Sequence, residues 1–233
     1  MHSVKRHLRA LVNYFLPTEN LVESKKKWNS LAAKNAPYFV MTDYGEGITE
    51  EQFRTSGMKD YDQLIRHDAL LQSKLSPTLT KDSLEIGCGI GRITEFLSKD
   101  FRSVSAIDIS EEMIEQARQR LSTLANVTFE ATTGISFPFR DSSFDFIFSF
   151  IVFQHMPDKD TVKKNLAEIA RTLRTRGIAK IQLRGLPTSK RRWFYGPSFT
   201  VSEAQSLISD LPLSIIQSAG EGQRYLWIWL EKK

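Results

Sequence analysis

Between residues 83 and 183 the hydrophobic period switches repeatedly between that of a strand and that of a helix, and this alternation restricts the fold more than any other feature. Ser83–Gly87 is a short apolar run, Arg92–Lys99 reads as a helix, and Val104–Asp108 reads as a second strand. In Glu111–Leu124 the residues Met113, Ile114, Ala117, Leu121 and Leu124 keep the 3.6-residue period of an amphipathic helix. Val127–Ala131 and Phe144–Phe150 are further strands. Val162, Leu166, Ile169, Ala170 and Leu173 mark another helix, and Ile178–Leu183 returns to a strand. Such alternation builds right-handed βαβ units and hence a mostly parallel sheet covered on both faces. After a capping box at Thr200-Val201-Ser202-Glu203 opens a helix to about Ile208, the end of the chain differs. Ser214–Gln217 and Tyr225–Leu230 are joined by a link too short for a crossover helix, so they are expected to pair antiparallel. Tyr225, Trp227 and Trp229 share one face of the last run, and Leu226, Ile228 and Leu230 the other, a pattern of buried sheet packing. The expected fold is α/β, a doubly wound, mostly parallel sheet finished by an antiparallel hairpin.

Residues 1–75 are expected to form an N-terminal helical cap or arm on a compact unit spanning 76–233. Asp60 to Leu75 reads as a helix with Tyr61, Leu64, Ile65, Leu71 and Leu75 on one face, ended by Pro77, and Thr49-Glu50-Glu51-Gln52 has capping-box spacing. The net charge of +5 sits wholly in residues 1–34, where seven Lys or Arg face two Glu; the remaining 25 basic and 25 acidic residues cancel. That distribution describes a basic arm, either a solvated helix or one touching a membrane surface or partner, and speaks against a nucleic-acid-binding body. The longest uncharged stretch, Phe146–Pro157, has 12 residues, short of the roughly 20 a membrane-spanning helix needs. One cysteine, Cys88, excludes an internal disulfide and a cysteine-built zinc site, so a reducing cytoplasmic setting and no metal are expected.

The chemistry centres on "LEIGCGIGRIT", Leu84 to Thr94, where Gly87, Gly89 and Gly91 follow the first sheet strand. Glycines there let backbone approach a ligand at the carboxyl edge of a parallel sheet. A dinucleotide turn wants G-x-G-x-x-G, but its third glycine position is Arg92; a P-loop wants a Lys that the turn lacks. Glu85, two residues before the first glycine, suits an amino-bearing ligand better than a pyrophosphate.

The stretch resembles motif I, E/D-x-G-x-G-x-G, of the class I S-adenosylmethionine-dependent methyltransferases. The resemblance continues through "VSAIDISEEMIEQAR" (Val104–Arg118), "FPFRDSSFDFIFSFIVFQHMPD" (Phe137–Asp158) and "LAEIARTLRTRG" (Leu166–Gly177), covering roughly residues 78–185. It implies a seven-stranded Rossmann-like sheet and S-adenosylmethionine as cofactor, leaving as S-adenosylhomocysteine. The matching cofactor positions are Glu85, Gly87, Cys88, Gly89 and Gly91 at the turn, Asp108 for the ribose, Ile109, Met113, Thr133 and Gly134 around the adenine, and Phe150 as a further cofactor contact. Two positions depart from the family pattern: Thr133 stands where an acid often meets the adenine amino group, and Thr175-Arg176 replaces Pro-Gly before Gly177, read as a changed helix C-cap. Cys88 is read as a small turn residue whose backbone matters.

His155, in the loop after the fourth strand, is the candidate catalytic base, the alternative being that it orders the loop. The segment 184–200 is a candidate substrate loop, in which Arg191, Arg192, Trp193 and Tyr195 would meet an anionic acceptor or, failing that, pack as a lid with its charges in water. Arg54, Ser56 and Gly57 are further candidates for the amino-acid end of the cofactor. The expected partner is a small-molecule, sugar or lipid-head-group acceptor; RNA or protein methylation and a noncatalytic binder are the alternatives.

Overall fold

The computed structural model describes residues 20–41, 45–187 and 195–233. Seven strands form one sheet in the order β3-β2-β1-β4-β5-β7-β6. They are β1 (Asp82–Ile86), β2 (Ser103–Asp108), β3 (Val127–Ala131), β4 (Phe144–Ser149), β5 (Leu173–Arg184), β6 (Leu213–Ala219) and β7 (Tyr225–Lys232). β1 pairs in parallel with β2 and β4, β2 with β3, and β4 with β5, whereas β7 runs antiparallel between β5 and β6. Among the described residues the α-helices are α1 (Leu21–Val40), α2 (Glu50–Tyr61), α3 (Ala69–Leu75), α4 (Thr94–Asp100), α5 (Glu111–Arg120), α6 (Lys159–Thr172) and α7 (Val201–Leu207).

Alternate strand residues bury on opposite faces, which gives two cores. Leu84 and Ile86 of β1 join Leu226, Ile228 and Leu230 of β7 and the apolar stripe of α6 on one face. Phe146 and Phe148 of β4, with Trp229, pack against Tyr61, Leu71 and α4 on the other. The pairing of the last two strands matches the sequence reading; the Leu226, Ile228 and Leu230 face is buried as expected, whereas on the other face Trp229 is buried and Tyr225 and Trp227 are half-buried.

The sequence misplaced two joints. The expected helix over 60–75 is broken: α2 ends at Tyr61, a π-helical turn covers Asp62–Arg66, and Asp68 caps α3 by accepting from the Leu71 N–H at 3.0 Å. The helix before Gly177 stops at Thr172, so Thr175-Arg176 is no helix cap. Those residues lie inside the long strand β5, where Arg176 has φ +62° and the register against β4 shifts between Phe144 and Phe146.

α1 is kinked. Asn35 leaves helical geometry two residues before Pro37, and its side-chain oxygen accepts from the Tyr38 N–H at 3.2 Å, restarting the helix with a cap of its own.

Candidate active site

The strand order reverses between β1 and β4, and there a cavity opens beyond the carboxyl ends of β1, β2 and β4. Its empty volume is about 1120 Å³, counting the mouth. The floor is the turn after β1, where Gly87 and Gly89 hold φ of +74° and +53°. A Cβ on Gly87 would lie 2.1 Å from Val152 Cγ2, so only glycine fits. The Gly87 and Cys88 N–H groups both donate to the Ile107 carbonyl, at 2.7 and 3.0 Å, which ties the turn to β2.

Two acids face this floor. Glu85 is 5% exposed and accepts from Thr94 Oγ1 at 2.5 Å. Burial dominates its environment and pushes its carboxyl up to about 7; the Thr94 bond and the Arg92 charge pull the other way. Asp108, at the end of β2, accepts from the Gly89 N–H at 3.0 Å and the Ser110 N–H at 2.9 Å, and burial raises its pKa despite those bonds. A carboxylate has about four acceptor sites, so Asp108 retains capacity for further donors. Arg92, 5% exposed, pairs with Asp60 at 2.7 Å and donates to Ser56 Oγ at 3.3 Å, fastening α2 to the turn.

Of the predicted residues, Glu85, Gly87, Cys88, Gly89, Asp108, Ile109, Met113, Gly134, Phe150 and His155 all line this cavity. Gly91 and Thr133 do not. The Gly91 carbonyl accepts from Arg120 at 3.2 Å, placing that glycine behind the turn, and the Thr133 side chain is exposed. Arg54 pairs with Glu95, Ser56 is buried between Phe53 and Arg92, and Gly57 packs on the Arg92 carbonyl, so all three brace α2 and α4 and miss the cavity. Arg191, Arg192 and Trp193 lie outside the described residues, as do residues 1–19 of the basic arm. Tyr195 sits under the Arg184 guanidinium at 4.4 Å and is not part of the cavity wall.

The sequence reading expected a helical cap over residues 1–75 but named none of the α1 residues that form the roof, nor one wall. Leu21, Ser24, Trp28, Phe39 and Val40 of α1 cover the cavity, and Thr132, Ile151, Val152, Met156 and Asn165 complete its sides. Only Trp28, an aromatic directly after three lysines, carried a local signal. Asn165 is 2% exposed, and its amide nitrogen donates to the Gly134 and Thr161 carbonyls at 2.7 and 2.9 Å.

His155 ends a relay of amides. The Ile151 N–H donates to Gln182 Oε1 at 3.0 Å, which turns the Gln182 nitrogen toward Gln154 Oε1 at 3.3 Å. The Gln154 nitrogen therefore donates to His155 Nε2 at 3.1 Å. An imidazole that accepts at Nε2 carries its neutral-form proton on Nδ1. The relay also holds Ile151 at φ +58°, an unfavourable conformation for a β-branched residue.

Residues 84–177 match a family described as "Methyltransferase domain". The chain carries a methyltransferase domain. Its sheet order and hairpin are those of the class I methyltransferases. Over 156 residues it is 29% identical to "Methyltransferase GfsG" of Streptomyces halstedii, an alignment covering 64% of this chain and 56% of that protein. It is 36% identical over 100 residues to "Malonyl-[acyl-carrier protein] O-methyltransferase" of Bacillus cereus, covering 42% of this chain and 36% of the other. The chain thus spans from about a third to just over half the length of these curated relatives. Magnesium protoporphyrin IX methyltransferase from Synechocystis PCC 6803, solved with bound SAH, shares the fold with a TM-score of 0.67 at 15% identity, over 92% of this chain and 100% of that one. No helix among the described residues is long and apolar enough to cross a membrane.

Proposed function

We propose that the methyltransferase domain binds S-adenosylmethionine and transfers its methyl group to an oxygen or nitrogen of a small, partly apolar acceptor. The observation that carries this reading is the pair Glu85 and Asp108 around a glycine floor that no side chain could share. Glu85, buried and held partly protonated, suits the amino group of the cofactor's methionine end, whose positive charge would draw out the acid's proton. Asp108 has acceptor capacity left for two vicinal ribose hydroxyls. Ile109 and Met113 offer apolar flanks for the adenine. When bound, the cofactor supplies a methyl group on a positively charged sulfur, so the protein's work is alignment and exclusion of water.

The acceptor end is assigned to the wall of Trp28, Phe39, Phe150, His155 and Met156, whose aromatic and apolar character supports a small-molecule acceptor over a polyanion. Relatives named "O-methyltransferase cnsE" and "Malonyl-[acyl-carrier protein] O-methyltransferase" support transfer to an oxygen. His155, with Nε2 engaged by Gln154, is assigned to orienting the acceptor through its ring rather than to removing a proton through Nε2.

Calorimetry with S-adenosylhomocysteine and with NAD tests the reading: micromolar binding of the first alone is expected, and the reverse preference overturns it. Asp108→Ala should weaken binding by about 1–3 kcal/mol; unchanged affinity removes Asp108 from the site. With labelled cofactor and metabolite extracts, a labelled product that survives nuclease and protease treatment is expected, whereas loss of label on digestion would indicate a macromolecular acceptor.

A further inference from the structure

We propose that Thr132 and Asn165 together read the hydrogen-bonding edge of the cofactor's adenine, in place of the acid that Thr133 does not provide; the inference rests on the S-adenosylmethionine reading above.

Both residues are fixed by one glycine. Gly134 donates its N–H to Thr132 Oγ1 at 3.1 Å, and its carbonyl accepts from the Asn165 amide nitrogen at 2.7 Å. With φ at +85°, Gly134 is in the left-handed region, and a Cβ there would meet Ile109 Cδ1 at 2.9 Å and Leu21 Cδ2 at 3.1 Å. The glycine therefore sits between the apolar flank of the cavity and its roof, and it holds the two polar side chains on either side of itself.

What those bonds leave over is complementary to adenine. The Asn165 nitrogen is fully used, by Gly134 and by the Thr161 carbonyl at 2.9 Å, which leaves its side-chain oxygen as the group still able to bond. That oxygen has no hydrogen-bond donor among the described residues, although Asn165 is 98% buried and lines the cavity. A buried amide oxygen without a donor is costly unless a ligand supplies one. The Thr132 hydroxyl already accepts from Gly134, so its own O–H is left as a donor at the same wall. An acceptor from Asn165 and a donor from Thr132 match the adenine amino group and its ring N1. Hypoxanthine, with an oxygen for the amino group and a hydrogen on N1, reverses both and would meet two clashes. Asp108 and Glu85 would hold the ribose and amino-acid ends identically in either case, so the base alone decides the preference.

The test compares S-adenosylhomocysteine with S-inosylhomocysteine by calorimetry on the full chain. The wild-type protein should favour the adenosyl compound by at least about tenfold. Asn165→Leu should bring the ratio of the two affinities close to one, and Thr132→Val, which keeps the size of the side chain, should reduce it severalfold. A purely structural role for Asn165 would weaken both compounds alike and leave the ratio unchanged; that result, or an unchanged ratio in Thr132→Val, overturns the proposal while the cofactor reading stands. If wild type binds neither compound, the cofactor reading falls and this inference with it. Should Asn165→Leu fail to fold, the Thr132→Val ratio decides alone.

Discussion

Between pH 4.5 and about 7 an unfolded chain ionises Glu85 while the folded, ligand-free chain keeps it protonated. Over that window the folded state binds more protons, so stability falls as pH rises, by a total on the order of 3 kcal/mol, and the loss levels off above about 7. Denaturant titrations at pH 5 and pH 8 should show this slope in wild type and a flatter one in Glu85→Gln; parallel behaviour of the two proteins would remove Glu85 as its source. A ligand ammonium group reverses the preference. Binding of S-adenosylhomocysteine at pH 6 should therefore release a proton, counted by calorimetry in buffers of different ionisation enthalpy, and release should fade by pH 8. Glu85 and Asp108 were legible in the sequence because an acid beside a glycine turn at a strand end is a local signal. Thr132, and not the expected Thr133, lines the cavity, because the turn after β3 has no period to fix which side chain faces inward. Asn165 carried no signal of its own: it lies within an amphipathic helix, and the loop it grips is 31 residues away.

At the scale of elements, the join between α3 and the sheet is a buried charge pair. Lys180, on β5, is 4% exposed; its ammonium lies 2.8 Å from Asp68 Oδ2, donates to the Leu64 carbonyl at 2.5 Å, and stands 4.5 Å from the Trp229 ring centre. Trp229 Nε1 donates to the same Asp68 oxygen at 2.8 Å. Removing one partner leaves a charge in a dry site, so Asp68→Asn should lower unfolding stability by about 3–5 kcal/mol, and adding Lys180→Met should recover much of it. Urea unfolding of the single and double variants measures both; a double variant no better than the single would show that the pair does more than neutralise itself. The sequence placed a helix over the residues of α3 and a strand at Ile178–Leu183 but could not pair them. Asp68 reads as an ordinary helical position within a continuous period, and nothing local marks the Lys in Ile178–Leu183 as buried. The same cap explains the broken helix: Asp68 cannot both start α3 and lie inside a helix running from Asp60.

For the whole molecule, the alternating periods made the sheet legible, since parallel strands with helical crossovers admit few arrangements. A helical cap from the N-terminal region was expected, but the residues by which it docks were not legible, because α1 meets the rest of the chain through side chains far apart in sequence. Asn29 is its main polar tie: the Asn29 oxygen accepts from Ser110 Oγ at 2.6 Å, and its nitrogen donates to Glu111 at 3.1 Å. Further along, Gln116 donates to the Ala32 carbonyl at 3.2 Å, Trp28 stands edge-on to His155 at 5.6 Å, and Val40 rests against Gly89. A ligand seated on the glycine floor lies beneath that helix. The tie at Asn29 therefore acts on residence time as well as on structure: Asn29→Ala should raise the dissociation rate of S-adenosylhomocysteine severalfold in stopped-flow displacement, with little change in melting temperature. An unchanged rate would mean that the ligand leaves without disturbing α1. If that rate does rise, and departure of the spent cofactor is slower than methyl transfer, the docking of α1 sets the turnover time and the acceptor's chemistry has little influence on it.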